Sequence, residues 1–428
     1  MPMTLSRRDF LAVSAAMLAA PCVGRSQEEA AEPYRLILSA PLTHSDWMLH
    51  AGSEWGAPGV RKMLDACKAC GWSRIYWRTL GGGRAEFPSK LVEPMHKWGD
   101  DHFWSPATPE DEAVFRKYYP NVSEEYRRSI IAKLEQYDYG SFDPLAEAVS
   151  YGHKIGLQIH AWITINEDDH GWGFQSRFAR EHPQFRWVRR DGRPYRSQMS
   201  FAFPQVRQYK LDLVQEILDG YEVDGIFIDW IRTGDVRDNP QTDADGVADS
   251  GYEQPLVEEF KTRHGIDPHE VANGDPRWVA VRAEPQTQFM RELRQRMHKA
   301  DKPLAVMVGH PWHYRGLLDK IDGNLRGLLL DVQSWAEQDL FDQIVAAGYY
   351  RDGGNPERAY HALRDETANR KEVWTFAWVP HNVEGFEQDV ALARRVGARQ
   401  MLLWEADYIA IRANAPELQQ AMRRRARL

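Results

Sequence analysis

Eight short runs rich in β-branched and aromatic residues recur along the 428 residues, and amphipathic helical stretches separate them. That alternation predicts an α/β fold, a (β/α)8 TIM barrel with long βα-loop insertions. The runs are residues 35–39, 74–77, 157–162, 225–229, 304–308, 327–331, 373–378 and 400–404. The runs are continuous rather than alternating, as expected of parallel strands covered on both faces. The helical stretches include 60–69, 144–152, 205–218, 286–299, 336–347 and 387–396, with 416–425 after the last run. An open doubly wound sheet is the alternative, and it needs a glycine-rich phosphate turn opening a helix after an early strand. Gly81-Gly82-Gly83 follows the second run, but no helical pattern begins there, so it reads as a flexible loop.

Two insertions follow strands and therefore belong to the C-terminal face of the barrel, where long loops form lids and substrate walls. Residues 80–142 are rich in aromatics and charge, and residues 233–253 in Asp, Asn and Gly. The N-terminus reads Ser6-Arg7-Arg8-Asp9-Phe10-Leu11-Ala12 and continues apolar to about Ala20. A basic pair ahead of a short apolar core predicts a twin-arginine signal peptide over residues 1–27, with the barrel domain over 28–428. The core is too short for a permanent membrane helix. Cys22 raises a lipoprotein alternative, against which Pro21 stands where a small residue is wanted. Export through the twin-arginine machinery would place the mature chain in the periplasm or outside the cell.

Hydrophobic residues make up 43% and charged residues 27%, a globular balance. The formal charge is -8, and because the first 27 residues carry +2 (Arg7, Arg8 and Arg25 against Asp9), the body carries -10. An acidic body argues against nucleic acid or an anionic membrane as the main partner. Cys67 and Cys70 read as two small residues of one helix, since no second pair completes a zinc site.

In a barrel the reacting groups stand where the strands end. Seven of those ends carry a tryptophan: Trp77, Trp162, Trp230, Trp312, Trp335, Trp378 and Trp404. One such indole is ordinary core packing. Seven at one end suit stacking on the C–H faces of sugar rings. Asp229, Asp331 and Glu405 also close apolar runs, where a carboxylate is costly unless paired or used. Glycoside cleavage needs two carboxyl groups flanking the bond, one to donate a proton and one to attack or to activate water. The alternative for each acid is a salt bridge, with Arg78 or Arg232 as neighbours. His160 and His310 would bind sugar hydroxyls, or sit as core histidines. A metal-dependent hydrolase would combine them with Asp229 or Glu405, but the His-x-His expected after the first strand is missing. Glu167-Asp168-Asp169-His170 reads as a solvated loop.

The fourth run, Tyr221-Glu222-Val223-Asp224-Gly225-Ile226-Phe227-Ile228-Asp229, resembles the Tyr-x-Val-Asp-Gly-Ile-x-x-Asp strand of the glycosyl-hydrolase-like family 10 barrels. Phe203-Pro204-Gln205-Val206-Arg207 is similar to that family's Asn-Pro-x-Val-Arg, and Gly156-Leu157-Gln158-Ile159-His160-Ala161-Trp162 to its Gly-Ile-x-Val-His-Ala-Trp. The likeness is strongest over residues 143–232 and implies a hydrolase of glycosidic bonds with Asp229 in the catalytic position. A second resemblance, to retaining α-galactosidase and α-glucosidase barrels, implies a nucleophilic Asp on strand four and an acid/base Asp on strand six. Asp229 as nucleophile or base and Asp331 as proton donor occupy those positions, with Glu405 in reserve. The expectation is an exported glycoside hydrolase acting on a poly- or oligosaccharide, without cofactor or metal. A catalytically silent glycan-binding barrel is the alternative from another class. Arg78, Trp77, Trp162, Trp230, Arg232, His160, His310, Trp312, Trp335, Trp378 and Trp404 are the expected substrate contacts.

Overall fold

The computed structural model describes residues 34–51, 54–96, 123–168, 176–230, 247, 249–309, 329–347, 356–378, 382–404 and 416–427. Eight parallel strands close into a barrel: β1 (Ile37–Leu42), β2 (Arg74–Gly81), β4 (Gln158–Thr164), β7 (Gly225–Asp229), β8 (Leu304–Gly309), β9 (Gln343–Ala347), β10 (Glu372–Trp378) and β11 (Gln400–Trp404). Closure is shown by β1, which pairs in parallel with both β2 and β11, the first and last neighbours in the ring. A ninth, two-residue strand, β3 (Arg84–Ala85), folds back antiparallel on the end of β2. Gly81-Gly82-Gly83 is therefore a tight turn rather than a loose loop, with Gly82 and Gly83 at φ 58° and 70°, a region glycine enters without Cβ penalty. A second insertion, after β4, contains an antiparallel pair, β5 (Arg186–Val188) with β6 (Pro194–Met199).

The helices surround the barrel: α1 (His44–Ala51), α2 (Ala57–Ala69), α3 (Glu124–Leu134), α4 (Pro144–Lys154), α5 (Arg177–Glu181), α6 (Pro204–Gly220), α7 (Gln254–His264), α8 (Pro276–Ala300), α9 (Val332–Glu337), α10 (Pro356–Glu366), α11 (Val383–Val396) and α12 (Pro416–Arg425). Their starts are chemically legible. Asp143, Ser176, Asp275, Asp331 and Asn382 each accept a backbone N–H of the first turn, which satisfies a donor the helix leaves open. Pro144, Pro204 and Pro276 open helices where a missing N–H costs nothing.

Alternation along the strands sorts side chains into two layers. One large apolar cluster, including Leu38, Ile75, Trp77, Ile226, Ile228, Val306, Ile344 and Met401, lies between strands and helices. A second fills the barrel itself: Tyr76, Trp162, Phe227, Ala305, Met307, Val345, Trp374, Phe376, Leu402 and Trp404, with Trp378 packed against it. The N-terminal mouth is closed by polar side chains. Arg74 donates to Gln158, Gln343 and Gln400 at 2.9, 3.0 and 3.3 Å, and Gln343 donates to Glu372 at 2.9 Å.

The sixth strand differs from the expectation. It is Gln343–Ala347, not residues 327–331, and it occupies the end of the stretch predicted as helix 336–347. Leu329 takes a left-handed backbone at φ 59°, which ends any extended run, and Asp331 then caps α9 by accepting from Ser334 N–H at 3.0 Å. That helix stops after two turns because Asp339 is also left-handed, at φ 59°, freeing Gln343-Ile344-Val345 to extend. The first strand begins two residues later than predicted and runs three further.

Candidate active site at the C-terminal mouth of the barrel

Asp229 is the last residue of β7 and shares its inward face with Phe227, while Ile226 and Ile228 point to the helices. It is fully buried and lies in register with Thr164 on one side and Met307 on the other. Trp162, two residues before Thr164, stands on the same inner wall. Its indole meets that of Trp404 edge to face, with centroids 5.2 Å apart. Trp378, opposite Trp404 in register, continues the aromatic wall outward and is half-buried. Arg78, in register with Trp162, holds its guanidinium 5.2 Å from the centre of that ring and donates to Glu167 at 3.0 Å. Asp229, Arg78, Trp162, Trp378 and Trp404 are thus the predicted residues that the fold brings to one inner wall.

Others leave the site. Asp331 does not end a strand. It caps α9 in the helix layer, and burial raises its carboxyl above the usual range, with Glu337 and Glu284 adding to the rise. Trp335 sits one turn further along that helix, fully buried, donating its indole N–H to Thr287 Oγ1 at 2.9 Å. Trp230 packs outward against Phe201, Phe289 and Trp335 with centroids 5.4, 5.8 and 5.8 Å away. Trp77 also faces the helices, stacked on His44 at 5.5 Å. Alternation explains Trp77, which differs in parity from Arg78, and Trp230 one position past Asp229. His160 points inward but lies low in the barrel, because β4 runs four residues beyond it. Its ring fills the space left by Gly225, where a Cβ would come within 2.4 Å of Nδ1. Burial, aided by Arg74 and Lys302, depresses its pKa well below the usual range, so His160 is a neutral core histidine, not a sugar contact. Glu405, Arg232, His310 and Trp312 lie outside the described residues, as does most of the 233–253 insertion.

Three acids that the sequence concealed stand at this mouth. Glu167 reads as part of a solvated loop, yet its side chain is 2% exposed in the ion pair with Arg78. Its neighbour Asp168 is equally buried, held by Lys210 Nζ at 2.7 Å and by Ser176 Oγ at 3.1 Å. A lysine on the buried face of α6 was the available signal, since such a charge requires a partner. Glu86 follows β3 directly. Its two oxygens accept the N–H and the hydroxyl of Ser45, both at 3.1 Å, in the first turn of α1. Burial pushes its carboxyl up to about 7, a rise that Arg78 and Ser45 oppose and Asp46 supports. Gly81 makes room for Arg78: a Cβ there would lie 1.8 Å from Nη2. Among the described residues, no group of three or more His, Cys, Asp or Glu side chains is arranged to hold a metal ion.

A family model described as "Glycosyl hydrolase-like 10" matches residues 116–375, more than half of the chain. The chain belongs to the glycosyl hydrolase-like 10 family. It is 28% identical over 297 residues to a protein named glycosyl hydrolase YngK from Bacillus subtilis (strain 168), covering 65% of this chain and 52% of that one. The chain therefore spans about half the length of that curated relative. In architecture it is similar to the PgaB (BpsB) glycoside hydrolase domain from Bordetella bronchiseptica, with a TM-score of 0.56 and 12% identity over 91% of this chain and 99% of that one. At that identity the likeness supports the barrel fold. Family membership agrees with the resemblance carried by the Asp224-to-Asp229 strand, which lies within the matched residues.

Proposed function

We propose that the protein is an exported glycoside hydrolase that cleaves a poly- or oligosaccharide by a two-carboxylate mechanism, with Asp229 as nucleophile or base. The observation that carries this reading is the placing of Asp229 on the inner wall of the barrel mouth, beside the Trp162–Trp404 pair and Arg78. A carboxylate there is costly to bury and is positioned to face a bond held across the mouth. Indoles supply flat apolar surfaces for sugar rings, and Arg78 supplies fixed donors for hydroxyl oxygens. With Asp331 in the helix layer, the proton donor in this proposal is Glu405, the residue immediately after Trp404. Export by the twin-arginine route rests on the Arg7-Arg8 motif and the apolar run behind it.

Reducing-end release from a panel of bacterial exopolysaccharides and aryl glycosides tests the reading. Asp229→Asn keeps the shape and removes the charge. We expect its turnover to fall by about a thousandfold or more, with sugar binding by calorimetry retained. Turnover within a few-fold of wild type would remove Asp229 from the chemistry. Absence of turnover in both chains, with equal glycan affinity, would favour the silent glycan-binding barrel.

A further inference from the structure

We infer that the end of the barrel opposite the mouth is a docking face for an anionic phospholipid surface. Arg35, Arg394, Arg399, Arg423, Arg424 and Arg427 are all exposed there, and none has an ion-pair partner among the described residues. Nearby acids are already committed: Glu357 pairs with Arg395 at 3.1 Å and Glu387 with Arg425 at 2.7 Å.

The backbone holds these arginines together. Leu36 bridges to Ala426, its N–H donates to Arg425 O at 2.8 Å, and Arg427 N–H returns to Leu36 O at 2.7 Å. Ile37 N–H donates to Arg399 O at 3.0 Å. Gly71, in the turn before β2, lies so close that a Cβ would come within 3.0 Å of Arg423 Cα. The patch therefore gathers the start of β1, the α11–β11 turn and the end of α12 at the N-terminal ends of the strands.

Helix dipoles account for part of this charge. Arg394, Arg423 and Arg424 stand in the last turns of α11 and α12, where cations are favoured. Arg35, Arg399 and Arg427 lie outside any helix and have no such role. Six unpaired arginines on a chain of net charge -8 raise a local positive field against the overall balance, which calls for an anionic partner.

A membrane surface fits better than a polyanionic strand. Tyr34, an aromatic beside the patch, packs its half-buried ring against the core and turns its hydroxyl onto the carbonyls of Ala393 and Ala398, so the ring is not presented for stacking bases. The chain also enters the barrel at this face. Among the described residues no helix is long and apolar enough to cross a membrane, and the contact proposed here is peripheral, made by the arginines. Docked this way, the mouth with Asp229 faces away from the lipid.

Co-sedimentation of the full chain with vesicles of phosphatidylcholine, with and without phosphatidylglycerol, tests the inference. Each arginine near an anionic surface contributes about 1 kcal/mol, or about fivefold in partitioning. A chain carrying Arg399→Gln, Arg423→Gln and Arg427→Gln should lose binding to the anionic vesicles by about a hundredfold. The same loss of charge at Lys62, Lys90 and Lys133 should cost far less. All chains keep residues 1–33, and binding is read as the gain when phosphatidylglycerol is added to phosphatidylcholine, which removes any apolar binding by that segment. Unchanged thermal unfolding of the arginine variant shows that its fold is intact. Equal sedimentation of wild type and arginine variant would overturn the proposal. So would capture by heparin through these arginines without capture by anionic vesicles.

Discussion

Glu86 is a carboxyl group sealed from water, with both oxygens turned to one serine at a helix start. Desolvation disfavours its ionised form more than Arg78 and Ser45 restore it, so it is held near 7 against a usual 4.5. The folded state therefore binds this proton more tightly than the unfolded chain does. The resulting stabilisation is fully present below about 4.5 and is lost as pH rises through about 7. Its upper bound is roughly 3 kcal/mol. Glu86→Gln is neutral throughout, so calorimetric melts of wild type should lose stability relative to it across that window. Parallel pH profiles for the two chains would show that the fold does not exploit this proton. The same single-residue logic separates Arg78, whose guanidinium is positioned by Glu167 and the missing Cβ of Gly81, from Trp77, one residue earlier, which serves packing alone.

At the scale of elements, the nine residues from Leu329 to Glu337 decide which acids belong to the site. A leucine-rich run closed by Asp reads as a strand, but Asp331 is an N-cap and the residues after it form α9. The cap is a contact within one turn, Asp331 accepting Ser334 N–H, whereas a strand here would need partners distant in sequence. Asp331→Ala should cost about 1 kcal/mol of stability by chemical denaturation and leave turnover within twofold. A loss of turnover beyond tenfold in a folded Asp331→Ala chain would restore Asp331 to the chemistry. The β4–α5 connection shows the converse. Its acids look solvated in sequence, yet Asp168 and Glu167 each meet a buried cation, Lys210 from α6 and Arg78 from β2.

For the molecule as a whole, the last helix packs over the seam where β1 meets β11. Leu418, Ala421, Met422 and Ala426 are buried against the same core that covers β1 and β11. Deleting residues 416–428 would uncover that seam and remove the Leu36–Ala426 bridge. Burial of the Leu and Met side chains alone contributes about 1.5–3 kcal/mol each, a large share of the 5–15 kcal/mol that holds a typical domain. The truncated chain should therefore lose cooperative thermal unfolding and bind a hydrophobic dye. A sharp melt near the wild-type temperature would show that the barrel closes without α12. Closure also separates two faces with different chemistry, acids and indoles at one end and, at the other, arginines without an ion-pair partner among the described residues.

The eightfold alternation of apolar runs and amphipathic stretches was readable without coordinates, and so were seven of the eight strands. Strand burial on both faces and the 3.6-residue period of a covering helix are local properties of a chain. The family could be read from the Asp224–Asp229 strand for the same reason. What a strand end contributes to a site could not be read in this way. Trp77, Trp230 and Trp335 resembled site residues, and only the direction of each side chain sent them to the helix layer. Glu86, Glu167 and the arginine patch draw their meaning from partners far away in sequence, or from lacking them. Charge pairing and facing direction are set when distant segments meet, so tertiary structure alone decided them.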